Sequence, residues 1–347
     1  MRYNYTNFIK QNIAPQNAKS IVVFNSNGEN IYTISLGRMA WPNSQKLYSF
    51  GLISDLHFVE YGLSVSWNPS EKVDNALTYF ENNNCDFCVS TGDATNRGFY
   101  ESDKTTFNSN QFEEYKRICD KHTINVYNAC GNHDSYFKAV TESITELETY
   151  TGKKLNFLIT QGDDIHIFLG QPSSTIPMSD EALQWLYEML EMYRNKRCFI
   201  YVHPYLDCGN ANGLYGNDVF SWWGNKTSVF KNLLKHYKNT ILFHGHSHND
   251  FNCQEVDKTA NYNEDTGFRT VHIPSISRPT QIIDGVRTTN DNKSYGYLVD
   301  VYDYCIILNG IDFINNKFVP LGTFKIDTTL VNIPQKAFTD STGTITV

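Results

Sequence analysis

The sequence predicts an α/β fold, and three observations support that prediction. Short apolar runs typical of buried strands alternate with stretches of helical spacing between about residues 47 and 243. After about residue 268 the pattern changes to strands alone. Hydrophobic residues make up 40% of the 347 residues, including 22 Tyr and 22 Phe, so the chain can bury a large core. This length allows two domains, and one α/β domain with attachments fits equally well.

The first part of the chain is predicted to hold a hairpin followed by three strands and two helices. Asn27-Gly28 lies between two β-branched runs, and this turn pair predicts a β-hairpin over residues 21–36. Val73, Leu77 and Phe80 have the spacing of one helix face. The elements predicted after the hairpin are a strand at 47–53, a helix at 71–82, a strand at 86–90, a helix at 111–122 and a strand at 124–129.

The second part repeats this alternation and ends in strands. Ser179 is a suitable N-cap for a helix that runs to about residue 195 and presents Leu183, Leu186 and Leu190 on one face. The other elements predicted here are a helix at 227–238 and strands at 165–169, 198–202, 241–243, 297–301, 306–308 and 325–326.

Composition and charge narrow the classes of function. The formal net charge is -8, which argues against a nucleic-acid partner because phosphate binding needs a basic surface. The longest apolar runs fall short of the roughly 20 residues of a membrane helix, so we expect no membrane association. The first residues lack the apolar core of a signal peptide, and the eight scattered cysteines then indicate reduced thiols in a cytoplasmic protein. A single CxxC, Cys85 to Cys88, is weak evidence for zinc.

Five short polar segments follow apolar runs that are predicted to be strands. In α/β sheets, ligands bind just beyond the carboxyl ends of strands, so these segments are the candidate site. In chain order the segments are Asp55-Leu56-His57, Gly92-Asp93 with the following residues to Gly98, Gly131-Asn132-His133-Asp134, Tyr201-Val202-His203-Pro204, and His244-Gly245-His246-Ser247-His248.

The residue types in these segments favour a metal site. Asp, His and Asn offer oxygen and nitrogen donors and no thiolate, which suits Mn, Fe or Zn. Seven such donors exceed the four that one tetrahedral ion uses, and they suit two ions about 3.5–4 Å apart. Two such ions lower the pKa of a shared water toward about 7, and the resulting bridging hydroxide can attack phosphorus. His244 is expected to pack or support a ligand.

These five segments, in this order, resemble the calcineurin-like metallophosphoesterase superfamily. Its pattern is DxH, GDxx, GNH[DE], a lone His and GHxH, and the resemblance spans about residues 50–250. The closing strands resemble those of bacterial and phage-type members. The resemblance implies a four-layer α/β/β/α sandwich of two mixed sheets that binds two divalent or trivalent metal ions. It implies that Asp55, His57, Asp93 and His248 hold one ion, and that Asp93, Asn132, His203 and His246 hold the other.

The resemblance also implies roles for three residues that do not bind metal. His133 would protonate the leaving oxygen, and Arg97 matches an arginine that contacts the phosphate in the protein Ser/Thr phosphatases. Those phosphatases read GDxxDRG, whereas this chain has Asn96 where they have the Asp that orients the acid histidine. A neutral Asn supports an imidazolium less well than Asp does.

The predicted domain organisation places the site in residues 48–330. Residues 1–47 form an N-terminal β-hairpin extension, too short for a core of its own, and residues 331–347 form a C-terminal tail. Two loops are candidates for shaping specificity. One, at 58–69, directly follows Asp55 and His57 and carries Tyr61 and Trp67. The other, at 207–224, carries Tyr215, Phe220, Trp222 and Trp223.

The function predicted from this pattern is hydrolysis of a phosphodiester or of a small organic phosphate by the metal-bridging hydroxide. A metal-dependent nuclease is an alternative, which the acidic net charge disfavours without excluding. A non-catalytic binding or assembly module that retains its metals is a second alternative, because a fold and a site do not guarantee turnover. The motifs leave the native metals, the substrate and the oligomeric state open.

Overall fold

The computed structural model describes residues 20–24, 30–35, 45–97, 110–135, 145, 148–173, 178–205, 226–264 and 267–334. Helices are α1 Pro69–Asn82, α2 Asn110–Cys119, α3 Asp180–Met192, α4 Lys226–His236 and α5 Cys253–Val256. Strands of the first half are β1 Ser20–Phe24, β2 Asn30–Ser35, β3 Tyr48–Ile53, β4 Phe87–Ser90, β5 Asn125–Asn128, β6 Asn156–Gln161, β7 Asp164–Leu169 and β8 Cys198–Val202. The later strands are β9 Thr240–His244, β10 Tyr262–Asn263, β11 Arg269–His272, β12 Thr280–Ile283, β13 Val286–Thr289, β14 Tyr295–Val301, β15 Cys305–Asp312 and β16 Lys317–Asp327.

Two six-stranded mixed sheets form the body of the protein. Sheet A has the order β16-β15-β14-β3-β4-β5, and sheet B has the order β10-β11-β9-β8-β7-β6. In sheet A the strands β3, β4 and β5 run parallel, and in sheet B the strands β7, β8, β9 and β11 run parallel. Two separate antiparallel pairs, β1-β2 and β12-β13, complete the described strands.

Three apolar clusters define four layers. Phe50 and Leu52 of sheet A pack with Phe199 and Phe243 of sheet B, which fills the space between the sheets. The outer face of sheet A packs against α1 and α2 through a cluster that includes Leu77, Phe80 and Phe112. The outer face of sheet B packs against α3 and α4 through Leu186, Leu190, Phe230 and Leu233. The α/β/β/α sandwich of two mixed sheets is thus confirmed.

The central strands are buried on both faces, which explains their uninterrupted apolar sequences. All residues of β3, β4, β8 and β9 are buried. Helix α3 starts where expected, because the Ser179 side chain accepts a hydrogen bond from the Ala182 amide over 3.1 Å. None of the helices in the described part of the chain is long and apolar enough to cross a membrane.

Near the two ends of the described chain lie a strand pair and a buried residue. The hairpin pair β1-β2 is present, with Ile21 opposite Ile34. Near the other end, Ile333 is buried in the cluster between sheet B and its helices, and its amide donates to Asn195 Oδ1 over 3.1 Å. The boundaries at 47 and 330 stay a prediction, and residues 335–347 lie outside the described residues.

Candidate metal centre

The five polar segments meet at one edge of the sandwich. Asp55 and His57 follow β3, Asp93 follows β4, and His133 follows β5 in sheet A. The remaining donors come from sheet B, where His203 follows β8, and His246 and His248 follow β9. The two sheets are joined here by the His246 amide, which donates to Asp55 Oδ2 over 3.1 Å. Parallel strands end at a common edge, which is why residues so distant in sequence come together.

Five of the candidate ligands have left-handed backbone conformations. Asp55, His57 and Asp93 have φ of 53°, 50° and 51°, and His246 and His248 have φ of 71° and 61°. Such a conformation costs a non-glycine residue about 1–3 kcal/mol and persists only where the surroundings impose it, as they do at functional sites. At Asp55 and His57 the backbone is held by hydrogen bonds from their amides to the carbonyls of Gly92 and Asp93, over 3.0 and 2.9 Å.

A first donor cluster consists of Asp55, His57 and His248. His57 Nε2 lies 3.0 Å from His248 Nε2, and His248 Nε2 lies 3.2 Å from Asp55 Oδ1. Asp55 and His57 are buried, and the His248 side chain is 18% exposed.

A second donor cluster consists of Asp93, His203 and His246. His203 Nε2 lies 3.1 Å from Asp93 Oδ2 and 3.2 Å from His246 Nδ1. Asn132 is buried in the loop after β5, one residue before His133, whose amide donates to Asp93 Oδ1 over 2.9 Å.

Asp93 lies between the two clusters. Its Oδ2 atom is 3.9 Å from His57 Nε2 on one side and 3.1 Å from His203 Nε2 on the other. Asp93 also belongs to a third donor group with His57 and His133. A carboxylate in this position is able to contribute to both clusters.

Two histidines have their second ring nitrogen fixed by backbone carbonyls. His203 Nδ1 donates to Thr91 O, and His248 Nδ1 donates to Arg278 O, each over 3.2 Å. A carbonyl only accepts hydrogen bonds, so Nδ1 carries the proton and the Nε2 lone pair points into the cluster. Facing ring nitrogens at 3.0 and 3.2 Å fit two ligands about 2.1 Å from one ion at roughly right angles to each other. The donor set thus fits two metal ions.

Burial and neighbouring charges set the protonation of the cluster. Burial opposes ionisation of Asp55, but His248, His203 and His57 outweigh it and hold the pKa of this carboxyl well below its usual range. Burial lowers the pKa of His57 well below its usual value, and burial together with His203 lowers the pKa of His246 to about 3. A metal needs ionised carboxylates and neutral imidazoles, and the shifts at Asp55, His57 and His246 favour those states. For His203, burial lowers the pKa, but Asp93 and Asp55 outweigh it and raise the pKa to about 9. The two carboxylates thus favour a positive charge at His203 Nε2, and a metal ion that binds there would displace the proton.

His133 lies at the open side of the site. Its side chain is 29% exposed, whereas Asp93 beneath it is buried. His133 Nδ1 donates to the backbone carbonyl of Asn96 over 2.5 Å, and its Nε2 lies 3.9 Å from Asp93 Oδ2. Asn96 thus contacts His133 through its backbone carbonyl. An Asp at this position could make the same contact, because the side chain takes no part in it.

The backbone of Asn96 and Arg97 is held by Gln111, a residue that no sequence pattern identifies. Gln111 Oε1 accepts hydrogen bonds from the amides of Asn96 and Arg97 over 3.1 and 2.9 Å. Gln111 Nε2 in turn donates to Glu60 Oε1 over 2.8 Å. Asp134 supports the same region by accepting from the amides of Gly131 and Thr95, each over 2.8 Å. Burial and the nearby Asp93 raise the pKa of Asp134 to about 7.

Ser54 is another residue that supports a candidate ligand and was not predicted from the sequence. Ser54 donates to Asp55 Oδ2 over 2.6 Å and accepts from Thr91 Oγ1 over 2.7 Å. The only available signal was that Ser54 directly precedes Asp55 at a strand end. His244 is buried edge-on to Tyr205, with ring centroids 5.0 Å apart, and belongs to none of the donor clusters found among the described residues. The aromatic loop at 207–224, with Tyr215, Phe220, Trp222 and Trp223, lies outside the described residues.

Solved structures share this fold at low sequence identity. A dimetal phosphatase from Danio rerio matches with a TM-score of 0.58 and 12% identity over 82% of this chain and 100% of its own. A purple acid phosphatase, PPD1, from yellow lupin matches with a TM-score of 0.54 and 15% identity over 87% of this chain and 58% of its own. No curated protein matches the sequence significantly.

The family comparison agrees with the geometry. The family model for the calcineurin-like phosphoesterases matches residues 48–250, which contain all five polar segments and more than half of the chain. Members of this family use a dinuclear metal centre, and the clusters around Asp93 supply donors for one. The chain therefore belongs to the calcineurin-like phosphoesterases, and it is a metal-dependent hydrolase of phosphate esters.

Proposed function

We propose that the protein hydrolyses a phosphodiester or a small organic phosphate at a dinuclear centre. The observation that carries this proposal is the position of Asp93, within 3.9 Å of His57 Nε2 and 3.1 Å of His203 Nε2. The residues that would hold one ion are Asp55, His57, Asp93 and His248, and those that would hold the other are Asp93, Asn132, His203 and His246. The donor set suits Mn, Fe or Zn.

The bound ions would supply a water of lowered pKa as nucleophile and would neutralise charge on the phosphoryl oxygens. His133 would supply the proton that the leaving group needs. Because the Asn96 carbonyl fixes the His133 Nδ1 proton, Nε2 is the atom that delivers a proton to the leaving oxygen. Its partial exposure leaves room for the ester beside it.

Arg97 is proposed to bind a phosphoryl oxygen. Its backbone amide is fixed by Gln111, so the start of the side chain has a defined position next to the Asn96 carbonyl that holds His133. A guanidinium offers two parallel donors to a phosphate, which favours in-line geometry during attack.

A small substrate is favoured over nucleic acid by the net charge of -8. A cytoplasmic location is proposed because the seven cysteines that the structure describes are free thiols.

The test is hydrolysis of bis(p-nitrophenyl) phosphate beside p-nitrophenyl phosphate by protein that has been stripped of metal and reloaded with Mn. We expect turnover of the diester in wild type and its loss in Asp93→Asn, which keeps the shape of the side chain and removes its charge. Turnover of the monoester alone would make the protein a phosphatase. Nicking of plasmid DNA would indicate the nuclease, and two bound metals without turnover of any ester would contradict the proposal and favour a binding module.

A further inference from the structure

A cation–aromatic pair lies beside the first donor cluster. The guanidinium carbon of Arg278 lies 4.7 Å from the centre of the Trp67 ring. Each partner is hydrogen-bonded to one of the candidate ligands: Trp67 Nε1 donates to the carbonyl of His57 over 3.2 Å, and the carbonyl of Arg278 accepts from His248 Nδ1 over 3.2 Å. The Trp67 ring and the Arg278 main chain are therefore each one hydrogen bond away from a candidate metal ligand.

The backbone around Arg278 is hydrogen-bonded to the loop that carries His248. The Arg278 amide donates to Ser275 Oγ over 2.9 Å, and the following Pro279 restricts the arginine to extended conformations. At the next position, the Thr280 amide donates to His248 O over 2.8 Å. A guanidinium on such a rigid base and stacked on an indole has already lost much of its rotational freedom before any ligand arrives.

The charge of Arg278 is only loosely compensated. Its nearest carboxylate oxygen, Asp291 Oδ1, is 3.8 Å from Nε, which is too far for a hydrogen bond. The other oxygen of Asp291 accepts from Ser66 Oγ over 2.5 Å. Within the described part of the chain, no acceptor takes a hydrogen bond from the Arg278 guanidinium, and 37% of the side chain is exposed. The guanidinium therefore lacks a full set of partners within the described chain, and part of the side chain is open to solvent.

Lys72 holds the Arg278 segment from the side of α1. This buried lysine of α1 donates from Nζ to the carbonyls of Ser277 and Asp291, over 2.5 and 2.7 Å. It thereby ties the Arg278 segment to the helix and adds a second cation near the guanidinium. Asp291 and the exposed Glu71 are the acidic groups that face Lys72.

We infer that Arg278, held on Trp67, binds a second anionic group of the substrate, a carboxylate or a further phosphate on the part of the molecule that leaves. This inference rests on the proposed function, because it assumes that the scissile phosphoryl group binds at the two metal ions. A substrate with no second anion would leave the exposed guanidinium without a partner. The substrate class is therefore a phosphate ester whose other half carries its own negative charge.

The test compares three phosphonates that resist hydrolysis. Methylphosphonate presents one anionic group, whereas phosphonoacetate and 3-phosphonopropionate add a carboxylate at two distances. Their binding to Mn-loaded protein is measured by calorimetry for wild type, Arg278→Gln and Arg278→Lys. Arg117→Gln is the matched control. Arg117 of α2 also lies over an aromatic ring, 5.0 Å from the centre of Tyr61, which is in the same loop as Trp67.

We expect at least one carboxylated phosphonate to bind wild type and Arg117→Gln about tenfold more tightly than methylphosphonate. In Arg278→Gln this gain disappears while the affinity for methylphosphonate changes less than about twofold, and Arg278→Lys keeps part of the gain because it keeps the charge. Equal gains in wild type and Arg278→Gln, or no gain in wild type, would overturn the inference. Calorimetry does not depend on turnover, so protein that binds the phosphonates as expected but hydrolyses no phosphate ester, with or without a second anionic group, would refute the proposed function alone.

Discussion

Ser54 positions Asp55 although it is not a candidate ligand itself. Its hydroxyl donates to Asp55 Oδ2 over 2.6 Å and accepts from Thr91 Oγ1 over 2.7 Å, and all three residues are buried. A second oxygen of the carboxylate, Oδ1, then faces His248 Nε2 at 3.2 Å. Partners that orient a ligand in this way are typically worth 10- to 100-fold in metal affinity.

Ser54→Ala is therefore expected to weaken binding of the first metal ion about 10- to 100-fold while the protein stays folded. Mn titration followed by calorimetry measures this change. The control is Ser49→Ala, at the opposite end of the same strand, where the hydroxyl donates to Asp300 Oδ1 over 2.7 Å. Equal Mn affinity in the two variants would show that the Ser54 hydroxyl does not position Asp55.

Among single residues, the sequence identifies the candidate metal ligands better than the residues that position them. Asp55, His57 and Asp93 can be recognised because short spacings after apolar runs place donors at strand ends. Ser54, Gln111 and the carbonyl of Arg278 act through contacts across different strands and loops. Such contacts depend on three-dimensional proximity and leave no pattern in the local sequence.

The loops that carry the ligands depend on glycines with no space for a side chain. A Cβ atom on Gly245 would overlap Ser54 Oγ and would lie 2.7 Å from Asp55 Oδ2. Gly285, in the turn between β12 and β13, differs: it has a left-handed φ of 76° but open space around it. Gly245 is thus required because Ser54 and Asp55 lie too close for a side chain, and Gly285 is favoured because of its left-handed backbone.

Gly245→Ala is expected to displace Asp55 and to abolish binding of the first metal ion. Gly285→Ala is expected to cost about 1 kcal/mol of folding stability through backbone strain and to leave metal binding intact. Metal content by atomic absorption and urea unfolding separate the two effects. Full metal content in Gly245→Ala would contradict the steric argument.

Among the elements, those with strong patterns were predicted and the short exposed ones were missed. Helices α1 and α3 and strands β3, β4, β8 and β9 lie within a few residues of their predicted positions. Strand β6 was not predicted, since it lies at the edge of sheet B and its half-buried residues show no alternation. Strands β12 and β13 are largely exposed, so burial leaves little trace in their sequences.

For the whole molecule, local sequence patterns predict an α/β class and no more. The four layers followed only from the resemblance to a family, because strand order depends on pairings such as Leu52 with Tyr297 that are far apart in sequence. The Danio rerio phosphatase shares this fold at a TM-score of 0.58 with 12% identity, so a largely different sequence supports a similar sandwich. The motif residues therefore carry more information about function than overall similarity does.

The interior between the two sheets contains a polar group that makes stability depend on pH. His166 of β7 is buried and stacks on Phe199, with ring centroids 4.7 Å apart. Its Nδ1 faces the Tyr201 hydroxyl at 2.8 Å, and its Nε2 faces the Tyr48 hydroxyl at 3.1 Å. Burial, and secondarily the nearby Arg197, lowers the pKa of His166 from 6.5 to about 3.

Because the folded protein binds this proton less readily than the unfolded chain, acid favours unfolding. The contribution of neutral His166 is complete above pH 6.5 and is lost as the pH falls from 6.5 toward 3. The loss approaches about 1.4 kcal/mol per pH unit, or roughly 2 kcal/mol between pH 7.5 and pH 5.

His166→Phe is expected to unfold more easily at pH 7.5 but to lack this part of the pH dependence. Urea unfolding at pH 7.5, 6 and 5, with metal held constant, measures the difference. The control is Tyr201→Phe, which removes a hydrogen bond to the same ring but keeps the imidazole; its free energy of unfolding should change with pH as in wild type. If the free energies of wild type and His166→Phe change equally with pH, His166 has the same pKa in the folded and unfolded chain.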